Sequence, residues 1–111
     1  MKGWLSVVAI VILSLAVVAG VACGGGEKEE VKEVKFGVGI PLAGIYGAVI
    51  GIPQRQGYEL AADRIGEFTV AGERYRWKLI FENNGWNSQG GVASATKLIF
   101  EDGVKIMTQC G

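Results

Sequence analysis

The sequence predicts an α/β fold in three layers, with a parallel sheet beginning β-α-β-α-β and an apolar segment ahead of it. Three observations predict this. Apolar residues alternate with others over 34–40, 75–81 and 104–108, which is the period of a strand. Between these stretches, apolar residues recur at helical spacing over 58–65 and 92–99, as on one face of a helix. Helices of about 12 residues between short apolar strands imply parallel pairing through right-handed crossovers.

The chain opens with Lys2 and the amino terminus as a short positive region. An apolar run follows from Trp4 to Val18, and the small residues Ala19, Gly20, Val21 and Ala22 precede Cys23. Charge, apolar stretch and small residues in that order are the pattern of a secretory signal. A cysteine directly after them resembles the lipobox of bacterial lipoproteins, with Val21 and Ala22 in its last two places and Gly20 where an aliphatic residue is usual. The resemblance implies cleavage before Cys23 and lipidation of that residue. Trp4 to Ala22 is also close to the roughly 20 residues that span a bilayer. A retained anchor usually ends in charge, however, and this stretch ends in Cys23-Gly24-Gly25-Gly26. Residues 1–22 are therefore read as a signal peptide helix. Residues 23–33, with GGGEKEEVKE after the cysteine, read as a lipidated flexible tether too polar to bury a core. Residues 34–111 are the folded part.

Within it, Val34, Phe36, Val38 and Ile40 alternate with Lys35, Gly37 and Gly39 as the first strand. Pro41 to Ile52 is uncharged and rich in glycine and reads as a loop, after which Pro53 suits the first turn of a helix. Tyr58, Ala61, Ala62 and Ile65 form that helix's apolar face, with Glu59, Asp63 and Arg64 turned away and Gly66 as its stop. Ala71-Gly72 is a turn signal. Tyr75, Trp77, Leu79 and Phe81 make the second strand. Asn83 to Ser88 is turn chemistry, and Asn87 or Ser88 can cap the next helix. Val92, Ala95, Thr96 and Ile99 are its expected buried stripe, flanked by Leu98. Asp102-Gly103 ends it, and Val104, Ile106 and Thr108 begin a third strand.

Composition excludes several functions. Lys and Arg number 11 against 11 Asp and Glu, for a net charge of zero. Without a basic cluster, no nucleic-acid partner is expected. There is no histidine, so the commonest general base and metal ligand is missing. Cys23 and Cys110 are the two cysteines, and no metal-ligand spacing occurs. Gly37, Gly39 and Gly44 do not make a dinucleotide fingerprint, because Leu42 stands where its third glycine belongs. Ser88 and Ser94 have no histidine partner. No catalytic residue, cofactor or metal is assigned, and the chain is not expected to be an enzyme.

Four stretches in order, VKFGVGIPLAG, QGYELAADRI, AGERYRWKLIFENN and GVASATKLIFEDGVKIM, resemble the amino-terminal lobe of branched-chain amino acid-binding proteins, in the class I periplasmic-binding-protein family. Pro41-Leu42-Ala43-Gly44 stands at that family's Pro-Leu-Thr-Gly turn, with Ala43 in place of the hydroxyl residue. Gly57, Leu60, Ala61, Asp63 and Ile65 match its first helix. Glu82, Asn83 and Asn84 stand at the acidic end of the second strand. Ala95, Lys97, Leu98, Ile99, Asp102, Gly103 and Val104 match the segment leading to the third strand. The similarity covers 34–108.

The resemblance implies two α/β lobes with a ligand between them. The chain then holds part of the first lobe, a fragment or truncated form of the whole. The implied function is the extracytoplasmic solute-binding component of an ABC importer, taking a branched-chain-type amino acid or related small polar solute. It would work with ABC permease subunits and be lipid-anchored in the cell envelope, facing the periplasm or cell exterior. The alternatives are a ligand-sensing ectodomain of a membrane receptor with the same fold, or a nonfunctional gene fragment. The implied strand order is 2-1-3, with the crevice beyond the carboxyl ends of strands 1 and 3. Ala43, Gly44 and Tyr46 in the first loop and Gly111 after the third strand are the ligand-binding candidates. Trp86 follows the edge strand and reads as a surface or lobe-packing residue away from that crevice.

Overall fold

The computed structural model describes residues 28–111. The expected signal peptide and the lipidation candidate Cys23 lie outside the described residues. The first strand, β1 (Lys32–Ile40), begins in the last charged residues assigned to the tether. An ion pair from Lys32 to Glu73, and two from Glu33 to Arg76 and Lys78, hold that start against the neighbouring strand.

The first helix, α1 (44–65), starts well before Pro53. It comprises an α-helical turn Gly44–Tyr46, a π-helical turn Gly47–Gly51 and an α-helix Ile52–Ile65. The expected loop over 41–52 is thus mostly helix. Glycine there serves close approach: a Cβ on Gly51 would lie 1.5 Å from the Pro41 carbonyl oxygen, and one on Gly47 would lie 2.7 Å from the Leu42 carbonyl carbon. Only a helix face without side chains can rest on the β1–α1 backbone. Pro53 lacks the amide that would continue the ladder, and the wide turn directly before it, with the Ile52 amide bonded to the Gly47 carbonyl, absorbs the interruption. Gly66 ends α1 at φ 59°, its amide bonded to the Ala62 carbonyl.

Two strands follow where one was expected. β2 (Glu67–Val70) and β3 (Glu73–Asn83) form an antiparallel hairpin. Ala71 and Gly72 both have positive φ, 52° and 81°, the backbone of the two-residue turn whose twist suits a hairpin. Phe68 of β2 packs on Tyr75 and Trp77, ring centroids 5.9 Å and 5.2 Å away. That aromatic contact gives the four-residue strand its hold, and an Arg74–Glu67 ion pair reinforces it.

The second helix, α2 (88–101), joins an α-helix Ser88–Thr96 to a π-helical turn Lys97–Glu101. Asn87 is its N-cap, its side chain accepting from the Gly90 amide, as capping chemistry predicts. The last strand is β4 (Ile106–Gln109). The sheet order is β2-β3-β1-β4, with β1 parallel to both β3 and β4. Its parallel part has the expected 2-1-3 order. The all-parallel β-α-β-α-β expectation is corrected to a mixed four-stranded α/β sheet, because the hairpin adds an antiparallel edge.

Alternate β1 residues point to opposite faces, and a helix covers each. On one face Phe36 meets Tyr58 of α1 at 6.2 Å and Trp77 of β3 at 5.9 Å. On the other, Gly37 leaves room for Leu98 of α2 and for Val104. Val38, Ile40, Leu98 and Val104 are the buried apolar core. The buried side of α2 carries Gly91, Ser94, Ala95 and Leu98. The expected stripe was one residue out: Val92 and Ile99 are exposed. Leu98 is the side chain of α2 that fills the space left by Gly37 on this face.

Candidate functional site

The carboxyl ends of β1, β3 and β4 meet at one edge of the sheet. The Asn84 amide donates to the Ile40 carbonyl at 3.1 Å, and the Cys110 amide to the Gly39 carbonyl at 2.9 Å. The Leu42 amide donates to the Asn83 side chain at 2.9 Å. β1 is thereby clamped from both sides as it turns into α1. This is the crevice position at which open α/β sheets take ligands.

Asn84 is buried, with 2% exposure, and its side chain uses both ends. The amide nitrogen donates to the Gly39 carbonyl at 3.2 Å and the Cys110 carbonyl at 2.6 Å. The oxygen accepts the Trp86 amide at 3.1 Å. Trp86 has φ 55°, rare for a bulky residue. That turn folds the indole back over the strand ends, where it stacks on Tyr46 with centroids 5.5 Å apart and planes 20° from parallel. A Cβ on Gly111 would lie 3.0 Å from Cε3 of Trp86. Gly90 lets the first turn of α2 rest on the Asn84 carbonyl, 2.0 Å from where its Cβ would stand.

The structure thus brings Tyr46 and Gly111 together through Trp86. Ala43 and Gly44 lie exposed in the turn that opens α1. Ala43 occupies the N-cap position without a side-chain cap bond, as it has no hydroxyl to offer. Trp86 is corrected from a remote surface residue to a member of this cluster. Gln109 reaches under α2, its side-chain nitrogen donating to the Gly91 carbonyl and Ser94 Oγ, both at 3.0 Å, and its oxygen accepting from the Asn84 side chain at 3.4 Å. Cys110 is a free thiol that accepts from Gln54 Nε2 at 3.0 Å.

Tyr46, Trp86 and Gly111 leave this wall uncharged. Charge is concentrated elsewhere. Beside α2, Lys97 pairs with Glu82 and lies 3.8 Å from Asp102. The Glu82 hydrogen bond holds the Lys97 ammonium above its ordinary pKa. A second, apolar groove of about 170 Å³ runs between α1 and the sheet, lined by Phe36, Tyr58, Ala61, Ile65, Trp77 and Leu79.

No known family, curated protein or solved structure matches the chain.

Proposed function

We propose that the chain is the extracytoplasmic solute-binding component of an ABC importer, binding a branched-chain-type amino acid or related small polar solute. The observation that carries this reading is the Tyr46–Trp86 stack at the carboxyl ends of three parallel-linked strands. An uncharged aromatic wall there suits an aliphatic side chain, with the phenol and indole supplying polar tips. The charged ends of an amino acid need several charge-assisted partners. A second lobe closing over the ligand supplies them in this reading. The lipobox-like Val21-Ala22-Cys23 supports an anchor that keeps the receptor beside its permease.

Two measurements on protein extracted from bacterial membranes test the reading. Mass spectrometry should find a diacylglyceryl adduct on an amino-terminal Cys23, and an intact Met1 would contradict export as a lipoprotein. Saturation-transfer NMR should show transfer to leucine, strongest at its methyls. Absence of transfer to any amino acid would contradict the binding role.

A further inference from the structure

We propose that Asn84 is a positioning residue for the aromatic wall: it ties the ends of β1 and β4 to the Trp86 backbone, and through the indole it sets the Tyr46 ring. Asn84 itself is buried beneath the wall and leaves ligand contact to Tyr46 and Trp86. Its amide has two donor hydrogens and an acceptor oxygen. The donors meet carbonyls at the ends of two different strands, Gly39 and Cys110, and the acceptor holds the amide of a residue with positive φ. No other side-chain type of this size offers donors on one side and an acceptor on the other. Aspartate would present an oxygen to two carbonyl oxygens, and that repulsion would push the carboxylate out of its place and off the Trp86 amide; leucine would leave all three backbone groups without these partners.

The arrangement has a consequence for Trp86. A left-handed backbone is strained at a bulky residue and persists only where its surroundings over-determine it. Here they do, through the Asn84 oxygen bonded to the Trp86 amide and through the closeness of Gly111, on which a Cβ would stand 3.0 Å from Cε3 of the indole. Loss of the Asn84 bond frees Trp86 to leave φ 55°, and the indole then swings off Tyr46. The geometric claim stands without any ligand; its effect on affinity rests on the reading of this crevice as the ligand wall.

The test is the ring-current shift of the Tyr46 ring protons, measured by NMR on the full chain and two variants. The unsubstituted chain should show them displaced upfield by the stacked indole. Asn84→Asp should return them towards random-coil positions while the β1 and β3 amides stay dispersed. Ser94→Ala removes another buried polar group (3% exposed) that has no bond to Trp86, and it should leave the shift in place. An unchanged Tyr46 shift in Asn84→Asp overturns the proposal, and so does an equal loss in Ser94→Ala. If Asn84→Asp abolishes all dispersion, solvent exchange of the Asn84 side-chain amide protons in the unsubstituted chain decides: slow exchange upholds the proposal and fast exchange overturns it. Leucine titration of the same samples should show affinity about fivefold weaker in Asn84→Asp, the loss of one aromatic contact. Failure of leucine to bind the unsubstituted chain strikes the functional reading alone, because the ring-current readout needs no ligand.

Discussion

Tyr46 and Trp86 stack at 5.5 Å with planes 20° apart, although one opens α1 and the other follows β3. The contact joins the two turns that flank the end of β1, and it depends on the positive φ of Trp86. Stability and binding at this edge of the sheet therefore answer to backbone conformation as much as to side-chain chemistry.

Replacing Trp86 separates these two contributions. Trp86→Ala loses the stacked pair, worth about 1 kcal/mol beyond area burial, and keeps the left-handed backbone cost. Trp86→Gly loses the same ring and removes that cost. Urea unfolding should therefore rank Trp86→Gly above Trp86→Ala by roughly 1 kcal/mol. The reverse order would mean that Trp86 does not hold its positive φ in solution.

Two glycines of α1 should respond in opposite directions. Gly57 has nothing within 4 Å of an added Cβ, so Gly57→Ala should stabilise by about 0.5–1 kcal/mol through helix propensity. Gly51→Ala would drive its methyl into the Pro41 carbonyl oxygen, 1.5 Å away. Backbone must move to relieve that, and a loss of about 3 kcal/mol or more is expected, in the range of severe overpacking. Thermal unfolding of both variants checks the pair.

That contrast shows where the sequence was legible. The alternation at 34–40 and 75–81 located β1 and β3, because residues on one face of a strand recur at every second place and the other face here carries mostly Lys, Arg or Gly. The glycines of 41–52 read as a loop because glycine usually marks one; only the fold shows that Gly47 and Gly51 meet the backbone of 41–42. The α2 stripe was misplaced for a related reason. Val92 and Ile99 look like core, yet Ser94 and Leu98 are the side chains that α2 buries, and Leu98 fills the space left by Gly37 of β1. The Glu67–Val70 strand was missed because its hold comes from Phe68 on Tyr75 and Trp77, a tertiary contact. Resemblance named Tyr46 and Gly111 as ligand-binding candidates. The places of Trp86 and Asn84 beside them were not legible, because a turn sequence does not state that a tryptophan will take φ 55° or that one asparagine of a pair will be buried.

The pH dependence of stability should have two limbs. Hydrogen bonds from Lys78 and Arg76 hold the Glu33 carboxyl below its ordinary value of 4.5, and those from Lys32 and Tyr75 do the same for Glu73. A depressed folded pKa means that the unfolded chain takes the proton first, so this stabilisation is complete above 4.5 and is lost as pH falls through the folded values. At the other end, Lys97 and Lys32 are raised above 10.5 by hydrogen bonds to Glu82 and Glu73. Their contribution is complete below 10.5 and is lost as pH rises through the folded values. The melting temperature should be flat between these limits. Glu33→Gln should shallow the acid limb, and added salt should flatten both limbs. An acid limb identical in Glu33→Gln would remove these pairs from the account.

Phe100 is 81% exposed on α2. Phe100→Ser should leave unfolding free energy within about 0.5 kcal/mol, as expected of a surface position, while reducing self-association seen by light scattering. A large loss of stability would show that Phe100 is packed in solution.

The central claim, that the strand-end crevice is a ligand wall, is tested most directly by amide NMR of the full chain titrated with leucine. The account predicts saturable shift changes concentrated at residues 43–47, 84–87 and 110–111, with roughly millimolar affinity, since one wall alone supplies only a few kcal/mol. Tyr46→Ala should weaken that binding by about fivefold, the worth of one aromatic contact. Saturable shifts confined to the groove of Phe36, Tyr58 and Trp77, or none at the strand ends, would contradict it.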